Sequence, residues 1–82
     1  KNPILVAFGK HLRVIRKEKG VSQDNLAALS GIDRSYIGQI ERGEKSISLL
    51  KIYQIAETLE LPAHELNLAS RLEAWSNMRM VV

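Results

Sequence analysis

Read for its apolar and polar positions, the chain divides into short segments of helical period, with no useful length of strand-like alternation. The first opens at Asn2-Pro3, a capping side chain followed by the proline favoured at a first helical position. Ile4, Leu5, Phe8, Leu12 and Ile15 then share one face; Lys10, Arg13, Lys17 and Lys19 lie opposite, and Gly20 suits a left-handed stop. Ser22 caps a second segment, whose inner side is predicted to hold Leu26, Ala27 and Leu29. Gly31 ends it after about two turns, too short to be stable unless it docks. Asp33 caps a third helix with Ile37 and Ile40 inward, closed by Gly43, and GEKSI reads as a loop. Ser48 caps a fourth helix with Leu49, Ile52, Ile55, Ala56 and Leu59 inward. Leu61-Pro62 breaks that helix, because the residue before a proline avoids the helical region. A fifth helix is predicted from Pro62 through AHELNLASRLEAWSN. The expectation is a single all-α domain over residues 1–82, a compact set of five helices with short connections.

Composition narrows the chemistry. At 82 residues the chain is near the lower limit for a domain that folds without staples. It has no cysteine, which excludes disulfides and thiolate metal sites. Phe8, Tyr36, Tyr53 and Trp75 are the whole aromatic complement, so aliphatic side chains must build the core. No apolar run approaches the roughly 18 residues that span a bilayer, and the opening KNPILVAFGK lacks the small-residue cleavage pattern of a signal peptide. His11 and His64 are far apart in sequence, without a cysteine or paired carboxylate nearby, so no metal site is expected. Ser22, Ser48 and Asp33 serve as helix caps rather than as a catalytic set, and the glycines are too dispersed to cradle a phosphate. Neither an enzyme nor a cofactor is expected.

Charge adds a direction. The net charge is +3, but residues 1–45 hold nine Lys/Arg against five Asp/Glu, and residues 46–82 hold three against four. A basic half points to a polyanionic partner. That half contains the two short helices around Gly31. Ala27 lets the second cross closely over the first, and Ile37 and Ile40 anchor it from within. Arg34, Ser35, Gly38 and Gln39 are left on the far side, toward solvent. A helix fixed by its inner face and presenting its outer one is what reading a DNA major groove requires. Arginine pairs with the O6/N7 edge of guanine and glutamine with adenine; serine serves a base or a phosphate. Tyr36 can reach a phosphate or a thymine methyl, and Gln23, in the first turn of the preceding helix, a phosphate.

The stretch SQDNLAALSGIDRSYIGQIERG resembles the helix-turn-helix of the Cro-like phage-repressor family, the XRE-type regulators. LRVIRKEKGVSQ is similar to that family's first helix and turn, and ISLLKIYQIAETLEL to its fourth helix, so the likeness spans about residues 8–61. Within the family, DRSYIGQIERG resembles the controller proteins of restriction–modification systems. The resemblance implies a lambda-repressor-like fold with the motif at 22–43 and a recognition helix at 33–42. It places base contacts on Arg34, Ser35, Tyr36 and Gln39, and phosphate contacts on Gln23, Arg42, Lys45 and Ser46. It implies a structural ion pair between Arg16 and Glu41.

Residues 62–82 carry Leu68, Leu72, Trp75 and Met78 at roughly helical spacing, an apolar stripe hard to bury inside so small a domain. Such a stripe marks an interface, here a homodimer contact. The expected function is a sequence-specific regulator of transcription, cytoplasmic and nucleoid-associated when bound. It would act as a homodimer on a pseudo-palindrome of double-stranded DNA. RNA polymerase is a further partner this reading admits. The alternative is an antitoxin that binds DNA and a toxin protein through the apolar tail.

Overall fold

The computed structural model describes residues 2–66, and among these every regular element is helical. Helix α1 spans Pro3–Glu18, α2 Gln23–Ser30, α3 Arg34–Glu41 and α4 Leu49–Thr58; a single 3-10 turn, Ala63–Glu65, follows. The caps form where the sequence places them. Asn2 Oδ1 accepts from the Ile4 amide at 2.8 Å, Ser22 Oγ from Asn25 at 3.0 Å, Asp33 Oδ2 from Tyr36 at 3.3 Å and Ser48 Oγ from Lys51 at 3.2 Å. Each satisfies an amide that has no partner within its own helix. The left-handed turn after α2 needs Gly31, at φ +75°, and its amide donates back to the Ala27 carbonyl at 2.9 Å.

The core is a continuous cluster of Leu12, Ile15, Leu26, Ile32, Ile37, Ile40, Ile55, Ala56, Leu59 and Leu66. Helix α1 packs on α3, α2 on both α3 and α4, and the 3-10 turn on α4. At the α1–α3 crossing the two backbones approach so closely that a Cβ on Gly9 would run into the carbonyl oxygens of Ile40 and Glu41. His11 Nε2 lies 2.8 Å from the Glu65 carbonyl and ties α1 to the 3-10 turn.

Three residues expected inside are outside. Leu29 is 70% exposed because α2 docks through Leu26. At ~100° per residue, Leu29 falls well away from the centre of a face shared by Gln23, Leu26, Ala27 and Ser30. Ile4 and Leu49 lie in the first turns of α1 and α4 and are likewise exposed. Ile32, in the turn between α2 and α3, is buried instead, in a segment where helical periodicity has no say. The predicted fifth helix from Pro62 is corrected in its first residues. Pro62 precedes a 3-10 turn three residues long, and Leu66 then plugs the core. The continuation of that segment, with the interface residues Leu68, Leu72, Trp75 and Met78, lies outside the described residues.

Candidate nucleic-acid interface

Helix α3 is fixed from within. Ile37 and Ile40 are buried, and Glu41, one turn after Ile37, enters a polar knot with α1. Arg16 Nε donates to Glu41 Oε2 at 2.7 Å and Nη2 to Oε1 at 3.0 Å, a fork-to-fork pairing with both side chains at least nine-tenths buried. Arg16 Nη1 donates to the Val21 carbonyl at 2.8 Å, and Gln23 Nε2 to Glu41 Oε1 at 2.8 Å. The knot thus joins α1, the α1–α2 connection, the first turn of α2 and the end of α3. No buried side-chain nitrogen or oxygen is unpartnered among the described residues, which a buried charge pair requires. Gln23 therefore has a structural contact that its expected phosphate role did not foresee.

The outer side of α3 presents Arg34 and Ser35, both exposed, and Gln39 in part. The helix itself runs Arg34–Glu41, with Asp33 and Arg42 as its caps, so the expected 33–42 span is the helix with both caps counted in. Gly38 departs from its expected place. It is not open to solvent, because the guanidinium groups one turn before and one turn after it close over it. A Cβ there would lie 3.2 Å from Arg34 Nη1 and 3.1 Å from Arg42 Nη1. Two cationic groups thus converge over the middle of α3.

Each of them is held by an acid outside the helix. Arg34 Nε donates to Asp24 Oδ1, in the first turn of α2, at 2.7 Å. Arg42 donates to both carboxylate oxygens of Glu44, at 2.9 and 3.2 Å. Glu44 raises the Arg42 pKa above the usual arginine value, through the hydrogen bond first and charge second, against a smaller opposing effect of desolvation. Neither acid was singled out by sequence. Asp24 is ten positions from Arg34, a tertiary relation no helical period reveals, and Glu44 sits in the loop next to its arginine.

Tyr36 and Ser46, expected on a base and a phosphate, meet each other. The tyrosine hydroxyl donates to the Ser46 carbonyl at 3.0 Å, and Lys51 Nζ stands 5.5 Å from the ring centre. This pins the loop after α3 to the helix and leaves Lys45 and Ser46 exposed beside it. Among the described residues no group of His, Cys, Asp or Glu could hold a metal, and no helix is long and apolar enough to cross a membrane.

A short two-helix unit with a buried inner face and an outer face bearing Arg34, Ser35, Gln39 and Arg42 invites comparison with known proteins. The HTH_3 helix-turn-helix family model matches residues 12–66. The chain belongs to that family. It carries the DNA-binding domain of a transcriptional regulator, of the XRE type. It is 38% identical over 66 residues to the control protein C.MunI of Mycoplasma, covering 79% of this chain and 89% of that protein. Among solved structures it is similar to the restriction–modification controller protein C.AhdI from Aeromonas hydrophila. The TM-score is 0.74 at 50% identity, over 76% of this chain and 94% of that one. It is also similar, with a TM-score of 0.73 at 30% identity over 80% of this chain and 87% of that one, to the controller protein C.Esp1396I. That structure is a tetramer in complex with its natural 35 base-pair operator.

Proposed function

We propose that this chain is a sequence-specific regulator in the manner of a restriction–modification controller protein. It binds as a homodimer to a pseudo-palindromic operator, with α3 entering the major groove. The observation that carries the reading is the two-sidedness of α3. Ile37 and Ile40 fix one side in the core, while Arg34, Ser35 and Gln39 are available on the other. Arg34 and Gln39 then supply most of the base readout, with Ser35 and Tyr36 assisting. Arg42, Lys45, Ser46 and the start of α2 at Gln23 follow the phosphate backbone.

A second copy of the chain is the partner that suits α4. Leu50 and Tyr53 are exposed there and line a shallow groove with Ala56, Leu61 and Ala63. The sixteen residues after Leu66 hold Leu68, Leu72, Trp75 and Met78, the apolar stripe that the sequence assigns to a homodimer contact. A dimer reading a pseudo-palindrome needs its two recognition helices about 34 Å apart, or a whole number of DNA turns.

Selection of bound sites from random duplex DNA, at two salt concentrations, tests the reading. The expected product is a palindromic consensus, and Arg34→Ala is expected to relax preference at one position of each half-site at a cost of about 1–3 kcal/mol in discrimination. Enrichment of no sequence at either salt overturns it. Uniform weakening by Arg34→Ala, without relaxed preference, moves Arg34 to the phosphate backbone.

A further inference from the structure

The arginine that opens the recognition helix is held in place by a residue of the other helix of the motif. Arg34 Nε donates to Asp24 Oδ1 at 2.7 Å, while Nη1 lies against the bare Gly38. The pair is open to solvent, with the arginine side chain 51% and the aspartate side chain 82% exposed. An exposed ion pair of this kind contributes little to stability; Asp24 also suits the first turn of α2 as an acid at a helix N-terminus, a role that does not call for its contact with Arg34. An acid there also works against binding, since the partner is a polyanion.

Resting on the reading of α3 as the helix that enters the major groove, we infer that Asp24 is a specificity-determining positioning residue for Arg34. Two physical effects act together. The first is geometric. A guanidinium has five N–H donors in a fixed fork, and Asp24 occupies the one on Nε. The terminal nitrogens are left for the O6 and N7 acceptors of guanine, from a side chain whose rotamers are already restricted. The second is electrostatic. A free arginine takes any phosphate, and that attraction is the sequence-independent part of binding. With Asp24 attached, the local charge is close to neutral, and a phosphate approaching Arg34 also meets the carboxylate. The guanine edge carries partial charges only and is penalised far less. Asp24 therefore lowers the affinity of Arg34 for backbone more than for base, which raises discrimination at the expense of raw affinity.

The test is binding of the full chain, followed by fluorescence anisotropy over a salt series, to its selected operator and to a scrambled duplex of the same composition. The parent is compared with Asp24→Ala, Arg34→Ala and the double variant. Asp24→Ala is expected to bind scrambled duplex about threefold or more tightly, with a salt slope steeper by about one phosphate contact. The ratio of operator to scrambled affinity is expected to fall about tenfold. Site selection with Asp24→Ala is expected to relax the same base position as Arg34→Ala, and removing Asp24 in the Arg34→Ala background to change base preference no further, leaving only the sequence-independent gain from deleting an acid. Asp24→Asn, which keeps an acceptor for Nε without the charge, is expected to fall between parent and Asp24→Ala. A lower Tm for Asp24→Ala with unchanged base preference would reduce Asp24 to a helix-terminus charge and overturn the inference. So would a change in base preference on removing Asp24 that persists without Arg34. If the parent selects a sequence and Arg34→Ala relaxes it, but the Asp24→Ala ratio matches the parent, this inference alone falls. If the parent selects no sequence, the reading of α3 falls with it.

Discussion

Helix α3 has an arginine–carboxylate pair on each of its two sides, and the two behave as different objects. On the inner side, Arg16 and Glu41 are bonded twice to each other and then to Val21 and Gln23, away from water. On the outer side, Arg34 and Asp24 share one bond in solvent. Coulomb attraction is strong in the first setting and weak in the second, and so is the cost of losing a partner. The inner pair is committed: neither member can be spared for a ligand without leaving a buried charge. The outer pair is exchangeable, since solvent can replace either partner at small cost. The same chemistry thus serves as a rivet on one face and as a releasable holder on the other, and burial makes the difference.

That contrast can be broken by substitution. Glu41→Ala strands the Arg16 guanidinium and is expected to cost about 3–5 kcal/mol, enough to unfold much of a domain this small, as a urea titration would register. A loss under about 1 kcal/mol would mean that water reaches the knot and that the two pairs are alike. Gly9→Ala attacks the same side without touching a charge. It forces the α1 and α3 backbones apart at Ile40 and Glu41, and overpacking of this kind is expected to cost about 1–3 kcal/mol by the same titration. Tyr36→Phe removes the hydroxyl bond to Ser46, between helix and loop, at an expected cost of about 1 kcal/mol. It is expected to raise amide hydrogen exchange in residues 44–47 before anywhere else, and uniform exchange changes would show that the loop is held by other means. The smallest stability effect belongs to the outer pair. Asp24→Ala is expected to change unfolding free energy by about 0.5 kcal/mol or less, and a change as large as that of Glu41→Ala would erase the distinction.

The inner and outer faces also differ in how far sequence reveals them. Local relations were legible. Asn2, Ser22, Asp33 and Ser48 cap because their acceptors reach amides within three residues, and Leu12, Ile15, Leu26, Ile37, Ile40, Ile55, Ala56 and Leu59 follow the helical period into the core. Burial near helix ends and in turns was not. Ile4, Leu29 and Leu49 fit a period yet find no cover, whereas Ile32 is buried by a turn. Arg16 and Glu41 stand 25 positions apart, so only family likeness proposed their pairing. Nothing local gave Asp24 to Arg34 or Gln23 to Glu41, because these contacts exist only once α2, α3 and α1 have been brought together.

Gly38 carries a consequence for how such a protein can change. Its missing side chain is the floor under both Arg34 and Arg42, with about 3 Å between either guanidinium and the place a methyl would take. Position 38 is therefore epistatic to 34 and 42. A mutation there does not add one new contact to an otherwise constant surface but shifts two existing ones at once. Lineages that exchange the glycine must re-accommodate both arginines, whereas lineages that keep it can vary Ser35 and Gln39 one step at a time. On the proposed reading of α3, drift in target sequence should run through those two positions, and a library meant to retarget the protein would do well to hold position 38 fixed.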